Sequence, residues 1–363
     1  MESWSSVGLG LQWLARHQNA DGSWSFDHRR DRSRPAKDTG ACKSSTGATS
    51  LALLSFLGSG HTHTYQEGKY RKNVSSGLSY LLSQAKVSEL RGVKIADLRG
   101  GDEMFWHALA TLTLCEAYGM TQPISRRSAI DEGKDAIETP RQRKARHLRS
   151  RIKSTAQMTV NFIIQKQDRK TGAWRPRPER APDTSTLGWQ LMALKSAHLA
   201  RLNVSPRTLL LSSKFLDSVT RDHQGFYGQT KPGKQPRATS MALLSRLYLG
   251  WRREHPGMTQ GIHYLGRLGP SRRGARYNLH TTMLIFPYRC TQWQRWNRAL
   301  RDQLVGAQQR TGDDKGSWFN PNDVDAPSGG RLMQTALCVM ALEIYYRHLQ
   351  ILEDAAKSFA GPE

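Results

Sequence analysis

Few residues in this sequence combine a reactive type with a telling spacing. Pro182-Asp183-Thr184-Ser185-Thr186 places one carboxylate ahead of three hydroxyl side chains. Such an aspartate either caps a helix, bonding the amides of Ser185 or Thr186, or donates a proton. Asp102 and His107 bracket a second polar start, with Phe105 and Trp106 between them. Tyr277, Asn278 and His280, with Arg331 further along, are the types an acidic polysaccharide lyase uses. It needs a cation to neutralise the uronate and a base to take its α-proton. The same residues also serve as ordinary caps and polar lining. Trp106 and Trp189 offer aromatic faces that stabilise cations or fill a core. Asp38, Thr39, Asp323 and Asp325 complete the polar residues that precede apolar runs. Four cysteines, Cys42, Cys115, Cys290 and Cys338, lie far apart with no Cys-x-x-Cys, which excludes a zinc ribbon or dithiol motif. Cys115 and Cys338 sit among apolar residues as inert thiols do.

These residues share a position in a repeat. Leu11, Leu14 and Ala15 recur at helical spacing, then Asp21-Gly22 turns the chain. Next comes Thr46–Leu57, small and apolar nearly all round, as a buried helix must be. The couplet of a charged or Gln-bearing helix followed by a small-apolar one returns, at about 50–60 residues. The apolar members are Trp106–Leu114, Ser185–Leu194, Ala238–Leu244, Tyr277–Met283 and Gln334–Leu342. A helix pair cannot bury its own apolar face, so stacking must continue. The last apolar helix is no more polar than the middle ones, whereas an open solenoid ends in polar caps. The pattern predicts an all-α fold, one α6/α6 toroid over residues 1–363, with these six helices inside and the starts of the inner helices facing a central mouth. Basic insertions near 27–45 and 121–153 interrupt the period, and Pro140 opens a basic helix that runs on toward Gln167.

The chain carries 54 Lys and Arg against 30 Asp and Glu, a formal charge of +24. Such an excess attracts anionic partners. An anionic membrane surface is one such partner, and charge alone argues for nucleic acid. Arg141, Lys144 and Arg151 do not back one apolar face, so the basic helix is no amphipathic anchor. No run of 18 apolar residues occurs, and Met1–Gln12 lacks the basic start and apolar core of a secretory signal. The expected location is cytoplasmic or peripheral to a membrane.

Gln18-x-x-Asp21-Gly22-Ser23-Trp24, Gln167 through Gly172-Ala173-Trp174 and Gln309 through Gly316-Ser317-Trp318 resemble the QW repeats of the terpenoid cyclase and protein prenyltransferase superfamily. The resemblance spans roughly residues 7–350. It is strongest to the prenyltransferase and squalene oxidase repeat, in the single-toroid cyclase-like proteins of planctomycete bacteria. It implies a toroid, with each Gln bonding backbone at the next helix and the Trp stacking on it. It also implies an apolar or isoprenoid-like ligand in a central cavity. Where the cyclases carry Asp-x-Asp-Asp-Thr, this chain keeps only Asp183. Asp-Asp-x-x-Asp and the prenyltransferase Asp-x-Cys are both absent, so no metal and no cofactor are expected. On this basis Asp183 is the candidate acid, and Asp102, Trp106, His107, Trp189, Tyr277, His280 and Arg331 are candidate ligand contacts. The alternatives are a non-catalytic scaffold at an anionic partner and an acidic polysaccharide lyase. A dry aromatic cavity would favour the isoprenoid reading. A filled centre with a basic rim would favour the scaffold, and an open arginine-lined groove the glycan.

Overall fold

The computed structural model describes residues 2–29, 38–64, 68–101, 103–121, 139–222 and 225–345. Twelve α-helices occur among them. Six form an inner ring: α2 (Ser45–Gly58), α4 (Met104–Gly119), α6 (Thr184–Leu199), α8 (Pro236–Tyr248), α10 (Ala275–Ile285) and α12 (Ala326–Leu342). Each packs on the next, and α12 packs on α2, so the ring closes. All six predicted inner segments lie in these helices. Their burial follows from composition: α2 is buried continuously from Thr46 to Gly58. Its Gly, Ala, Ser and Thr let neighbouring backbones approach closely, and Ser50 and Ser55 return their hydroxyls to the carbonyls of Thr46 and Leu51.

Outside lie α1 (Glu2–Arg16), α3 (Arg71–Gln84), α5 (Pro140–Lys166), α7 (Pro206–Val219), α9 (Pro256–Leu268) and α11 (Thr291–Ala307). They run antiparallel to the inner helices and present one buried stripe each, as Val74, Gly77, Leu78, Leu81 and Leu82 do on α3. The Gln and Gly-x-Trp punctuation ties them together. Trp24, Trp174 and Trp318 each donate Nε1 to a carbonyl of the preceding outer helix, at 2.7 Å to Leu14, Ile163 and Leu304. Gln18, Gln167 and Gln308 each donate Nε2 to the carbonyl of the motif glycine (Gly22, Gly172, Gly316). The same amides reach the next outer helix, at Asn73, Thr208 and Ser6. The last of these closes the outer ring. One expectation needs correction: the third glutamine is Gln308, while Gln309 is exposed. Gly172 and Gly316 have φ of 83° and 97°, and a Cβ on either would strike the carbonyl of Leu211 or Leu9 on the neighbouring helix.

Three further features depart from the sequence expectation. A β-hairpin, β1 (Lys86–Leu90) with β2 (Val93–Asp97), lies between α3 and α4 and packs on α5. Two residue pairs, β3 (Thr220–Arg221) and β4 (Phe226–Tyr227), join between α7 and α8. Helix α12 kinks at Gly330, φ 56°, where residues 38–42 are laid along its first turns. Ala41 N donates to Pro327 O, Cys42 N to Ser328 O and Arg331 N to Asp38 O. The predicted basic helix is α5, 27 residues long, opened by a capping box of Thr139 and Gln142. The cores of the basic insertions, residues 30–37 and 122–138, lie outside the described residues. Among the described residues no helix is long and apolar enough to cross a membrane.

Candidate functional site

The inner helices all begin on one face, so their free amides and positive dipole ends converge there. The caps are local sequence features. Ser44 Oγ accepts from Gly47 N at 3.1 Å on α2, and Asp183 accepts from Thr186 N at 2.7 Å on α6. Asp323 accepts from Ala275 N at 2.8 Å on α10. At this mouth lies a cleft of about 830 Å³. Lys43, Glu103, Phe105, Trp106, Arg177 and Arg276 are among the residues around it.

The lumen beneath is crossed by side chains. Helices α4 and α10 stand on opposite sides of the ring, yet the Arg276 guanidinium lies 5.2 Å from the Phe105 ring centre. Phe105 also meets Trp106 at 4.5 Å and Trp189 at 5.1 Å. Trp189 reaches across to His280, edge to face at 5.0 Å, and Trp106 meets Phe26 at 5.2 Å. Trp106, Trp189 and His280 are all buried. Trp189 Nε1 and His280 Nε2 are buried without a hydrogen-bond partner among the described residues. Burial, then the charges of Arg276 and Arg237, push His280 down to about 3, so its imidazole is neutral near pH 7.

Above this plug the charges are arranged on the rim. Arg276 grips Asp325 with two nitrogens and Arg237 adds a third contact at 3.3 Å. Two cations therefore share one carboxylate. Arg177 pairs with Glu103 across the cleft. Burial raises the pKa of Asp183, and the amides of Thr186 and Ser185 and the charge of Arg276 oppose that rise.

The structure thus brings Asp183, Trp106, Trp189 and His280 together at the mouth and throat. It turns the other candidates elsewhere. His107 faces outward and is fully buried. Its Nδ1 accepts from Leu98 N at 3.1 Å and its Nε2 lies 3.0 Å from Thr159 O. Burial drives it down to about 4. Tyr277 packs on Trp296 of α11, ring centres 5.9 Å apart. Asn278 uses both amide atoms on Ser271. Arg331 belongs to the seam between the first and last repeats, pairing with Asp38 and Asp314. His28, Asp38 and Asp314 approach within 4.8 Å of one another, but the Arg331 guanidinium already fills the cation's place beside both carboxylates. Asp102 lies outside the described residues. A second cleft of about 540 Å³ opens between α10, α11 and α12. Its amides Gln334 and Asn278 are engaged with the backbone of Asn320 and Ser271.

Sequence reasoning passed over Arg237, Arg276, Arg177 and Glu103. A signal for two of them was available. The residue before the small-apolar run is Arg in both Pro236-Arg237-Ala238 and Ala275-Arg276-Tyr277, which places both cations at the mouth.

No protein-family model matches the chain, and no curated protein matches it. Solved structures do share its fold. The α-1,6-mannanase of Salegentibacter sp. HEL1_6, a glycoside hydrolase of family 76, superposes with a TM-score of 0.59 at 10% identity, over 94% of this chain and 98% of its own. A family 76 mannosidase from Bacteroides thetaiotaomicron gives 0.59 at 12% identity, over 94% and 97%. A type II terpene cyclase from Scytonema, in complex with geranylgeranyl dihydroxybenzoate, gives 0.55 at 11% identity, over 94% and 96%. The likeness establishes an α/α toroid of the kind that several enzymes use.

Proposed function

We propose that the mouth cleft binds an acidic oligosaccharide. The observation that carries this reading is the open cleft with Arg177 and Arg276 on its wall, which a filled scaffold would lack, above a lumen bridged by Phe105, Trp189, His280 and Arg276. An isoprenoid chain needs the lumen and would have to displace these side chains. A sugar needs only the mouth. There Phe105 is half-buried, so part of its ring is open to contact with a pyranose. Arg237 and Arg276 share Asp325, which leaves one positive charge for a uronate carboxylate. Lys43 adds a second, and the inner-helix N-termini favour the same sign. The fold offers general support, since one of the mannanase structures holds α-1,6-mannotriose.

Asp183 caps α6 through the Thr186 amide and is not among the residues around the cleft, so this reading is one of binding and gives Asp183 no catalytic step. Calorimetric titration with tetragalacturonate, mannotetraose and geranylgeraniol tests the reading. The uronate tetramer should bind, and Arg237→Ala should weaken it about tenfold, the loss of one charge-assisted contact at an exposed rim. Binding of geranylgeraniol alone would restore the isoprenoid reading. Equal binding of the neutral mannan would remove the role given to the arginines.

A further inference from the structure

The face opposite the mouth carries a different charge pattern. Helix α5 spans 27 residues, against 16 for its inner partner α4, so it is longer by about 16 Å at 1.5 Å per residue. Its first fully buried residue is Ile152. The twelve residues before that form an extension of roughly 18 Å at the end of the ring where the inner helices finish. Neither this extension nor the rest of α5 contains an Asp or Glu. Arg143, Lys144 and Arg151 are exposed on it. Arg149 folds back over Tyr118, 4.6 Å from the ring, and donates to Thr121 O.

The loops on this face continue the pattern. Each follows the end of an inner helix: Arg201 after α6, Arg252 and Arg253 after α8, Arg289 after α10. All four are exposed, and none has a carboxylate partner among the described residues. Glu254 is the exposed acid among them, while Glu343 at the end of α12 is buried. At the mouth the reverse holds, where Arg29, Arg99, Arg177, Arg276 and Arg331 each pair with a carboxylate. Among the described residues, the face at the inner-helix ends thus carries exposed arginines with no carboxylate partner, whereas these rim arginines are paired.

We propose that this face, with the α5 extension, is a docking surface for double-stranded DNA. Two features favour a duplex over a membrane. At 100° per residue, the exposed cations Arg143, Lys144, Arg146, Arg151 and Lys153 spread over roughly 180° of the helix circumference, more than a flat surface can meet at once. A groove about 12 Å wide encloses such a helix. In addition, Ala145 and Leu148 are the apolar side chains between Arg143 and Arg151, and both are partly buried, so the exposed side has no stripe to insert into lipid. Phosphate contacts by these side chains would release counterions and make binding steeply dependent on salt.

Fluorescence anisotropy with a labelled 20-base-pair duplex, measured from 50 to 300 mM NaCl, tests the proposal on the full chain. With four to six phosphates neutralised, log K should fall against log salt with a slope of about −4 to −5. The triple variant R143A/K144A/R151A should weaken binding at least tenfold and make the slope shallower by about 2 to 3. R169A/K170A/K315A removes the same charge from exposed sites elsewhere and should bind like the wild type. Circular dichroism of both variants confirms that the helices are retained. Three results would overturn the proposal: equal loss in the two triple variants, a slope near zero, or binding to vesicles with 30% phosphatidylserine but not to the duplex.

Discussion

Gln308 bridges the two ends of the outer ring, and replacing it gives a sharp prediction. Gln308 is buried, with Nε2 donating at 2.9 Å to both Ser6 O and Gly316 O. Gln308→Ala leaves two buried carbonyls without this donor, and each loss costs about 1–3 kcal/mol. Part of that is offset, because Gln308 Oε1 is itself buried and unpaired and disappears with the amide. A net loss of about 3 kcal/mol follows. With roughly 2.1 cal/mol/K of unfolding entropy per residue over the whole chain, that corresponds to about 4 °C in Tm. Gln309→Ala, one residue on, removes an exposed side chain whose amide bonds Thr311 O, and should stay within about 0.5 kcal/mol. Thermal unfolding followed by circular dichroism compares the two directly. Equal Tm values for the two variants, or a larger drop for Gln309→Ala, would refute the brace as the device that closes the ring.

The other expectations concern packing, pH and catalysis. Trp174 is fully buried, so Trp174→Ala should cost ~3 kcal/mol or more in urea unfolding, and a thermally silent variant that loses ligand would make it a site residue instead. His63 and His107 are held near about 4 and His280 near about 3, in each case chiefly by burial. The unfolded chain binds protons at these sites first, so stability is full above about pH 6.5 and falls as pH drops toward 4. At pH 4.5 each site costs about 2–3 kcal/mol, and His63→Leu should flatten the pH dependence of the urea midpoint; an unchanged profile would remove His63 from the account. Incubation with squalene should give no cyclic product by gas chromatography. Asp183 is bonded to Thr186 N and the lumen below it is occupied, so product abolished by Asp183→Asn would contradict both points.

The fold was legible because burial in a double ring imposes a pattern that local sequence records. Helices surrounded by protein must be small and apolar on every side, and Thr46–Leu57 shows that without any structure. The motif glycines were legible as turns, and their contact with the next helix explains why no side chain is tolerated there. The choice between Gln308 and Gln309 was not legible, since only the helix end decides which amide turns inward. The candidate site was half legible. Residues at inner-helix starts were expected at the mouth, where Trp106 and Asp183 lie, yet a helix turns successive residues by 100° and takes others away. His107 lies one residue beyond Trp106, and that single step takes it from the throat to the outer layer. Arg276 and Asp325 belong to neighbouring repeats, and their pairing depends on how α10 stacks on α12, which no local spacing encodes.

The proposed ligand of this toroid is a sugar acid held at the mouth and not an apolar chain held in the lumen. The most direct measurement is a crystal structure of the chain soaked with tetragalacturonate. A pyranose is expected over Phe105 with its carboxylate against Arg237 or Arg276, and Trp189 and His280 unmoved below. Ligand density beneath Trp189, with Phe105 swung aside, would contradict it.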